Sequence, residues 1–506
     1  MRWLLALISI FIATNAEARF PRGTIIPQIT CNLVTGVASV GGPCTATTAC
    51  NGVSDDAPAF KAFNTWALAN QGSTNQVVLT IPSGSTCFFS TSQSYSGSVQ
   101  ANVFSNSINN LIVDGGSGST LTSVGGTGFV LGTDGLCQAG LTDASGCSAR
   151  IQTVSAGSTI VTLTAASLAA GYISRFSVNK WIMIGGLDVQ GLFQQPYGYP
   201  PNQTYFEWRK ITNVNAGTGV ITLDRVTTNA YLSTWPNYNS GNAFEADAGG
   251  AATIWVMNDA WNSTKEFRNL TLTQNGQIGI VGRNVTLRNV TVSNTGGNCG
   301  PLPTQNESWS IYNSTWSCNV EVDKLVETMT MDTSTFNSVE YQSSSIANLV
   351  MRNSTASFMY GSARNSQIID TTLSFWRPGT HYGATESVVC TRCTVTTYDP
   401  PPQGTFGSNL TPPAFTMAGG IISWPVDLTG HEAQIWASPT NVPVFFSSST
   451  GYNSIGVFKI TDINGGIWPA ADNQSASPTV TIGLGSFNIV ETKGWCVHLF
   501  PLLVKN

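Results

Sequence analysis

Glu321 and Glu340 are the residues of this chain whose type and placement most invite chemistry. Two carboxylates on one surface suit acid–base work on a glycosidic bond: one protonates the leaving oxygen while the other attacks or activates water. In the same recurring position follow Tyr341, Tyr360, Trp376 and Arg377, then Tyr398 and Asp399, with His381 the only histidine nearby. Aromatic rings suit the apolar faces of sugars, and an arginine can clamp a carboxylate or serve as a base. The expected catalytic set is therefore Glu321, Glu340, Arg377, His381 and Asp399, and the expected substrate-binding set is Tyr341, Tyr360, Trp376 and Tyr398. Glu321, Asp323, Glu327, Asp332 and Glu340 also crowd five of the 27 acids into one stretch. That stretch reads as a catalytic or Ca²⁺-binding cluster, or as a solvated face.

A repeat must bring these residues together. A six-residue frame recurs: apolar, any, polar (usually Asn), small or apolar, Thr, then usually apolar. It runs Phe267-Arg-Asn-Leu-Thr271-Leu, Leu287-Arg-Asn-Val-Thr291-Val, Ile311-Tyr-Asn-Ser-Thr315-Trp, Met331-Asp-Thr-Ser-Thr335-Phe, Met351-Arg-Asn-Ser-Thr355-Ala, Ile368-Ile-Asp-Thr-Thr372-Leu and Cys390-Thr-Arg-Cys-Thr394-Val. Successive frames begin 20, 24, 20, 20, 17 and 22 residues apart, and the candidate site residues other than His381 lie eight to ten residues beyond the later frame starts. The first two frames carry only Asn275-Gly276 and Thr295-Gly296 there. A period of about 20 residues is one solenoid turn. Val, Thr and aromatics alternating with polar residues make that turn β rather than helical. Stacked coils would align like residues: an apolar core, Asn at the bends bonding neighbouring backbone, and a row of threonines on the outer face.

Upstream, Ser54-Asp55-Asp56-Ala-Pro58 precedes an apolar stripe of Phe60, Phe63 and Leu68, which predicts a short amphipathic helix able to cover the end of a solenoid. Val77-Val-Leu-Thr-Ile-Pro82-Ser-Gly84 reads as a strand and turn, and Ile108-Asn-Asn-Leu-Ile-Val-Asp114-Gly-Gly116 as an early coil. The order of these motifs resembles the right-handed parallel β-helix proteins of the pectate lyase-like superfamily. The resemblance covers residues 52 to 116, and the frames extend it to about 400. It implies an all-β fold, a right-handed parallel β-helix (solenoid) with an N-terminal capping helix, and a protein that acts on or holds polysaccharide. The N-x-D, G-H-G and R-I-K marks of polygalacturonases and the R-x-P-x-x-R of pectate lyases are absent, so no family catalytic set is carried over. Asp55-Asp56 reads as part of the cap and not as a catalytic pair.

The rhythm breaks between 150 and 232, where strands and turns predict a small antiparallel β insertion, a compact barrel mounted on the solenoid. The expected organisation is 1–18 signal peptide, 19–149 cap and first coils, 150–232 insertion, 233–400 coils, and 401–506 final coils and cap. Arg2, the apolar run Leu4–Ala13 and Ala16-Glu-Ala18 predict a cleaved signal peptide and a secreted or periplasmic protein. Eleven cysteines fit an oxidising compartment. Spacing favours Cys137–Cys147, Cys299–Cys318, and Cys31 with Cys44 or Cys50, while Cys390 and Cys393 read as core filler.

Charged residues are 10% of 506 and the net charge is −5, which excludes a coiled coil, a charge-rich disordered chain and a nucleic-acid binder. No later apolar run is long enough for a membrane span. The expected function is a secreted polysaccharide lyase or glycoside hydrolase; the alternative is a non-catalytic glycan-binding or adhesion surface protein. The expected partner is polysaccharide, with no nucleic acid and no membrane span, and the sequence leaves the oligomeric state open. No cofactor or metal is called for, except Ca²⁺ if the chemistry is that of a lyase.

Overall fold

The computed structural model describes residues 26–45, 50–72, 75–89, 104–105, 107–123, 148–186, 205–233, 252–257, 259–274, 279–280, 282–294, 302–303, 305–322, 325–377 and 387–398, together with the backbone of strands 414–424, 433–437, 444–448, 458–462 and 487–490. The expected signal peptide and the Cys137–Cys147 pair lie outside these residues.

The chain winds as the expected right-handed parallel β-helix: one large sheet joins strands of successive coils in parallel register. Among the described residues, successive coils share two long β-faces that meet at a corner, where the frame sits, and Gly279–Ile280 and Leu302–Pro303 add a short parallel ladder. The frame's third residues, Asn269, Asn289, Asn313, Thr333, Asn353, Asp370 and Arg392, all take left-handed backbone with φ between 48° and 57°. Asn enters that region with less strain than most side chains, hence its recurrence. Its amides bond along the corner to side chains rather than to the expected backbone: Asn269 Nδ2 donates to Asp114 Oδ1 (3.0 Å) and Asn289 Nδ2 to Asn269 Oδ1 (3.0 Å).

Just inside the corner, the fourth positions are buried. Ser314, Ser334 and Ser354 form a hydroxyl ladder there. Each Oγ accepts from the backbone of the preceding coil, namely Val290 N, Ser314 N and Ser334 N, at 3.1 Å. Each also donates to its own coil's carbonyl two residues back, at 2.7 to 2.9 Å. Small polar residues are tolerated in this core because every hydroxyl is satisfied twice.

The fifth positions stack outward as expected. Thr271, Thr291, Thr315, Thr335, Thr355, Thr372 and Thr394 pair coil to coil, and Thr120 and Thr86 continue the row toward the N-terminus. Inward, the first positions Leu287, Ile311, Met331, Met351, Ile368 and Cys390 form one buried column. Each such side chain contributes about 1.5–3 kcal/mol by leaving water.

The N-terminal end is closed by helix α1 (Ala57–Asn70), with Pro58 in its first turn. Phe60 meets Phe89 and Phe104 at 5.0 and 5.3 Å, and Phe104 meets Phe267 of the coil core at 5.7 Å. The buried face is Phe60, Phe63, Trp66 and Ala67, whereas Leu68 is 43% exposed; one residue is about 100° of helix, which carries Leu68 past the stripe expected of it. Asp56 stands at the start of the helix. It is buried and accepts from Cys50 N and Phe88 N, both at 2.7 Å, tying the helix start to two coils.

Among the described residues the antiparallel insertion has six strands, in spatial order Ser148–Arg150, Thr253–Val256, Trp181–Gly186, Tyr205–Asn215, Val220–Leu223, Ile160–Thr162. A bridge between Ile151 and Leu163 joins the two edges, giving a small barrel around Ile182, Ile184, Ile211, Ile221 and Ile254. Thr253–Val256 belongs to this sheet, so the insertion runs past the expected end at 232 and the coils resume at Thr264 rather than at 233. Thr253–Val256 is buried at every position and so lacks the alternation that marks a coil strand. The barrel interrupts the sequence but skips no rung: Asn110–Ser123 pairs directly with Thr264–Gln274.

Cys31 is bonded to Cys44, and Cys50 to Cys87. Cys390 and Cys393 are buried as expected but bonded to each other across the corner. Cys318 is disulfide-bonded, and Cys299, the partner expected for it, lies outside the described residues. Among the described residues, no helix is long and apolar enough to cross a membrane.

Candidate functional site

On the second β-face, beyond the Thr row, the coils bring one column into register. Glu321 pairs with Glu340, Glu340 with Tyr360, and Tyr360 with Arg377. Adjacent rungs of a parallel sheet lie about 4.8 Å apart. These four residues, expected together from their offsets, stand on four consecutive coils. A strand irregularity between Trp316 and Asn319 shifts the pairing by one position. Glu321 therefore aligns with Glu340 although the interval between them is one shorter than that from Thr315 to Thr335. The Glu340 side chain is half-buried, and its Oε2 accepts from Asn319 Nδ2 at 3.0 Å. The side chains of Glu321, Tyr360 and Arg377 lie outside those described, and these residues are placed by backbone register.

The neighbouring column faces the core. Val320, Val339, Met359 and Trp376 are buried in register, and Tyr398 pairs with Trp376. Strand parity then gives the acid column the outward register. Trp376 is 1% exposed within the core, so its ring supports the wall from inside and is removed from the sugar-holding set. The reason is again parity: Trp376 and Arg377 are adjacent, so only one of them takes the outward position. Tyr341 pairs with Val322, which is itself buried, and so stands at an inward register. His381 and Asp399 lie outside the described residues.

The acid-rich stretch is not one cluster. Winding sends Glu321 and Glu340 to the second β-face, Asp332 to the corner and Glu327 to the first β-face; Asp323 lies outside the described residues. Asp332 accepts from Arg352 Nε at 2.8 Å and from Asn353 Nδ2 at 3.3 Å. Partial burial pushes its carboxyl up, but these bonds outweigh burial and hold it below the ordinary carboxylate range.

The first β-face holds a second pair that sequence reading missed. Glu307 and Glu327 stand level on adjacent rungs, between the pairs Asn306–Val326 and Ser308–Thr328. Their spacing equals the frame interval from Ile311 to Met331, and that was the available signal. The barrel sits on them. Arg225 donates to Glu307, Arg283 forms an ion pair with it at 3.3 Å, and Arg283 lies over the Trp181 ring at 4.6 Å. Glu327 Oε2 accepts from Trp208 N at 3.4 Å, with Arg209 4.0 Å from its other oxygen. Arg209 and Glu207, both buried, bond each other, and Thr228 donates twice to Glu207. Around this network Trp181, Met183, Phe206, Trp208, Trp255 and Trp261 of the insertion and its re-entry segment pack against Leu325 and Ala347 of the coils. Burial pushes Glu327 up to about 7, the like charge of Glu307 adds to the rise, and Arg209 and Arg225 oppose it.

For a metal ion, the one grouping of suitable side chains among the described residues is Cys50, Asp56 and Cys87. The Cys50–Cys87 disulfide leaves no thiolate there, and Asp56 is already committed to two backbone amides. These residues do not fit an ion.

No protein-family model and no curated protein matches the sequence. Among solved structures, the chain is similar to the tailspike protein gp49 from Pseudomonas phage LKA1, at 12% identity over 80% of this chain and 71% of that one, with a TM-score of 0.38. It is also similar to the Pseudomonas phage phi297 tailspike gp61, at 10% identity over 86% and 78%, with a TM-score of 0.33. A third is the Gp54 tailspike of Acinetobacter baumannii bacteriophage AP22, solved in complex with A. baumannii capsular saccharide, at 10% identity over 86% and 76%, with a TM-score of 0.25.

Proposed function

We propose that this protein cleaves polysaccharide in an oxidising compartment outside the cytoplasm, along the column of Glu321, Glu340, Tyr360 and Arg377. The observation that carries the reading is the register of Glu321 with Glu340 on neighbouring rungs of one face. Their backbones are about 4.8 Å apart, close to the ~5 Å separation of paired carboxylates in retaining glycoside hydrolases. Glu340 is oriented by Asn319 and takes the part of nucleophile or base; Glu321 gives the proton to the leaving oxygen. Tyr360 and Arg377 extend the column away from the acids, and an arginine there suits a sugar carboxylate. Disulfides among the described residues favour the compartment.

A panel of acidic and neutral polysaccharides, assayed for new reducing ends and for unsaturated products, tests the proposal. Reducing ends without unsaturation identify a hydrolase, and unsaturated ends identify a lyase. Turnover that survives in both Glu321→Gln and Glu340→Gln removes the pair from the mechanism. Glycan binding with no product of either kind replaces cleavage by a purely binding role.

A further inference from the structure

Beside the acid column runs a second outward column that changes character along the solenoid. Asn319 pairs with Ser338, Ser338 with Phe358, and Phe358 with Phe375. Polar residues thus give way to two phenylalanines on successive coils, with ring centroids 5.9 Å apart and planes 48° apart. Phe358 is 42% exposed, and no other aromatic residue among those described is as open to solvent. The surrounding outward positions are Thr335, Thr355 and Thr372 on one side and Glu340 and Tyr360 on the other. The interval from Phe358 to Phe375 equals that between the frames at Met351 and Ile368, so the coil period itself creates the stack.

We infer that Phe358 and Phe375 form an apolar platform that seats the C–H face of one pyranose ring next to the Glu340 carboxylate. This rests on the polysaccharide reading above and adds to it a binding subsite. Three features select a sugar. Two partly exposed rings offer an apolar area far below the ~800 Å² that each partner contributes to a stable protein interface. Hydrogen-bonding residues flank this apolar spot, as suits a ring with C–H groups on its face and hydroxyls on its rim. Glu340 lies one rung away and two residues along from Phe358, a diagonal separation of roughly 7–8 Å between Cα atoms. That gap admits one sugar ring, with its edge toward the carboxylate.

The test uses the full chain with polygalacturonate, hyaluronan, xylan and dextran as probes, measuring binding and KM separately from kcat. Phe358→Ala and Phe375→Ala should each raise Kd and KM about tenfold, with kcat changed much less. Phe358→Trp should restore affinity, and its fluorescence should shift on addition of whichever of these polysaccharides the wild type binds. If wild type binds or cleaves one of them while both alanine variants stay within twofold, the platform is refuted and the polysaccharide reading stands. If wild type binds none of the four, the platform falls together with that reading. If Phe358→Ala lowers the sedimentation coefficient instead of the affinity, the rings join copies of this chain and the sugar assignment is wrong. Unchanged thermal unfolding in the alanine variants keeps the comparison free of a folding defect.

Discussion

The two pairs of glutamates are built alike and placed differently. Glu321–Glu340 and Glu307–Glu327 each stand on neighbouring rungs of a parallel sheet. The first pair takes an outward register beside exposed threonines and a phenylalanine stack. The second lies beneath the barrel, bonded or approached by Arg209, Arg225 and Arg283. A solenoid makes such ladders readily, because any residue recurring at the coil period becomes a column. What distinguishes the two ladders is therefore the covering. Arginines and tryptophans that pin one pair also occupy the space a substrate would need, whereas Glu340 of the other pair keeps part of its surface in solvent. The covered pair also shows the electrostatic cost of burial: Glu327 is pushed to about 7.

The contrast breaks most sharply if chemistry moves to the wrong pair. Glu340→Gln should reduce turnover by about 10²–10⁴-fold and shift unfolding free energy by no more than about 0.5 kcal/mol; steady-state kinetics and urea denaturation of the same preparation check both. The converse holds under the barrel. Arg209→Met strips buried Glu207 of its ion-pair partner, so it should lower stability by about 3–5 kcal/mol, seen as a fall in the urea midpoint.

A pH titration sharpens the same contrast. Between its ordinary range near 4.5 and about 7, Glu327 holds a proton in the folded protein that the unfolded chain has released. Its contribution therefore falls as pH rises through that window, and Glu327→Gln should flatten that part of the plot of Tm against pH. Asp332 has the opposite sign: its folded carboxyl is held low, so its contribution is lost as pH falls through the acid range, and Asp332→Asn should flatten the acid limb. The smallest effect belongs to the Thr row. Thr335 is exposed and bonded only weakly to Thr355 (3.3 Å), so Thr335→Val should leave stability within about 0.5 kcal/mol and leave turnover unchanged.

Much of the wall was legible because stacking turns sequence period into space. The frame foretold the corner, the Thr row and the inward column, and the offsets beyond it foretold Glu321, Glu340, Tyr360 and Arg377 as one column. Trp376 was misread because its neighbour Arg377 shares the same offset window, and only the strand's alternation decides which of the two takes the outward position. Glu307 and the phenylalanine stack each repeat at a coil interval but fall outside the offset of eight to ten: Glu307 stands four residues before the frame start Ile311, and Phe358 and Phe375 stand seven residues beyond Met351 and Ile368. The end of the barrel was missed because Thr253–Val256 is buried throughout and carries no alternating signature.

By itself, the order of residues determined the winding, the corner and which side chains could share a rung, since these follow from local backbone preference and from the recurring interval between frames. Only the tertiary structure decided which rungs stay open. A one-residue irregularity after Trp316 aligned Glu321 with Glu340, and a barrel spliced between Ser123 and Thr264 folded back over Glu307 and Glu327. Both depend on contacts between residues distant in the chain, and no local pattern encodes where such contacts land.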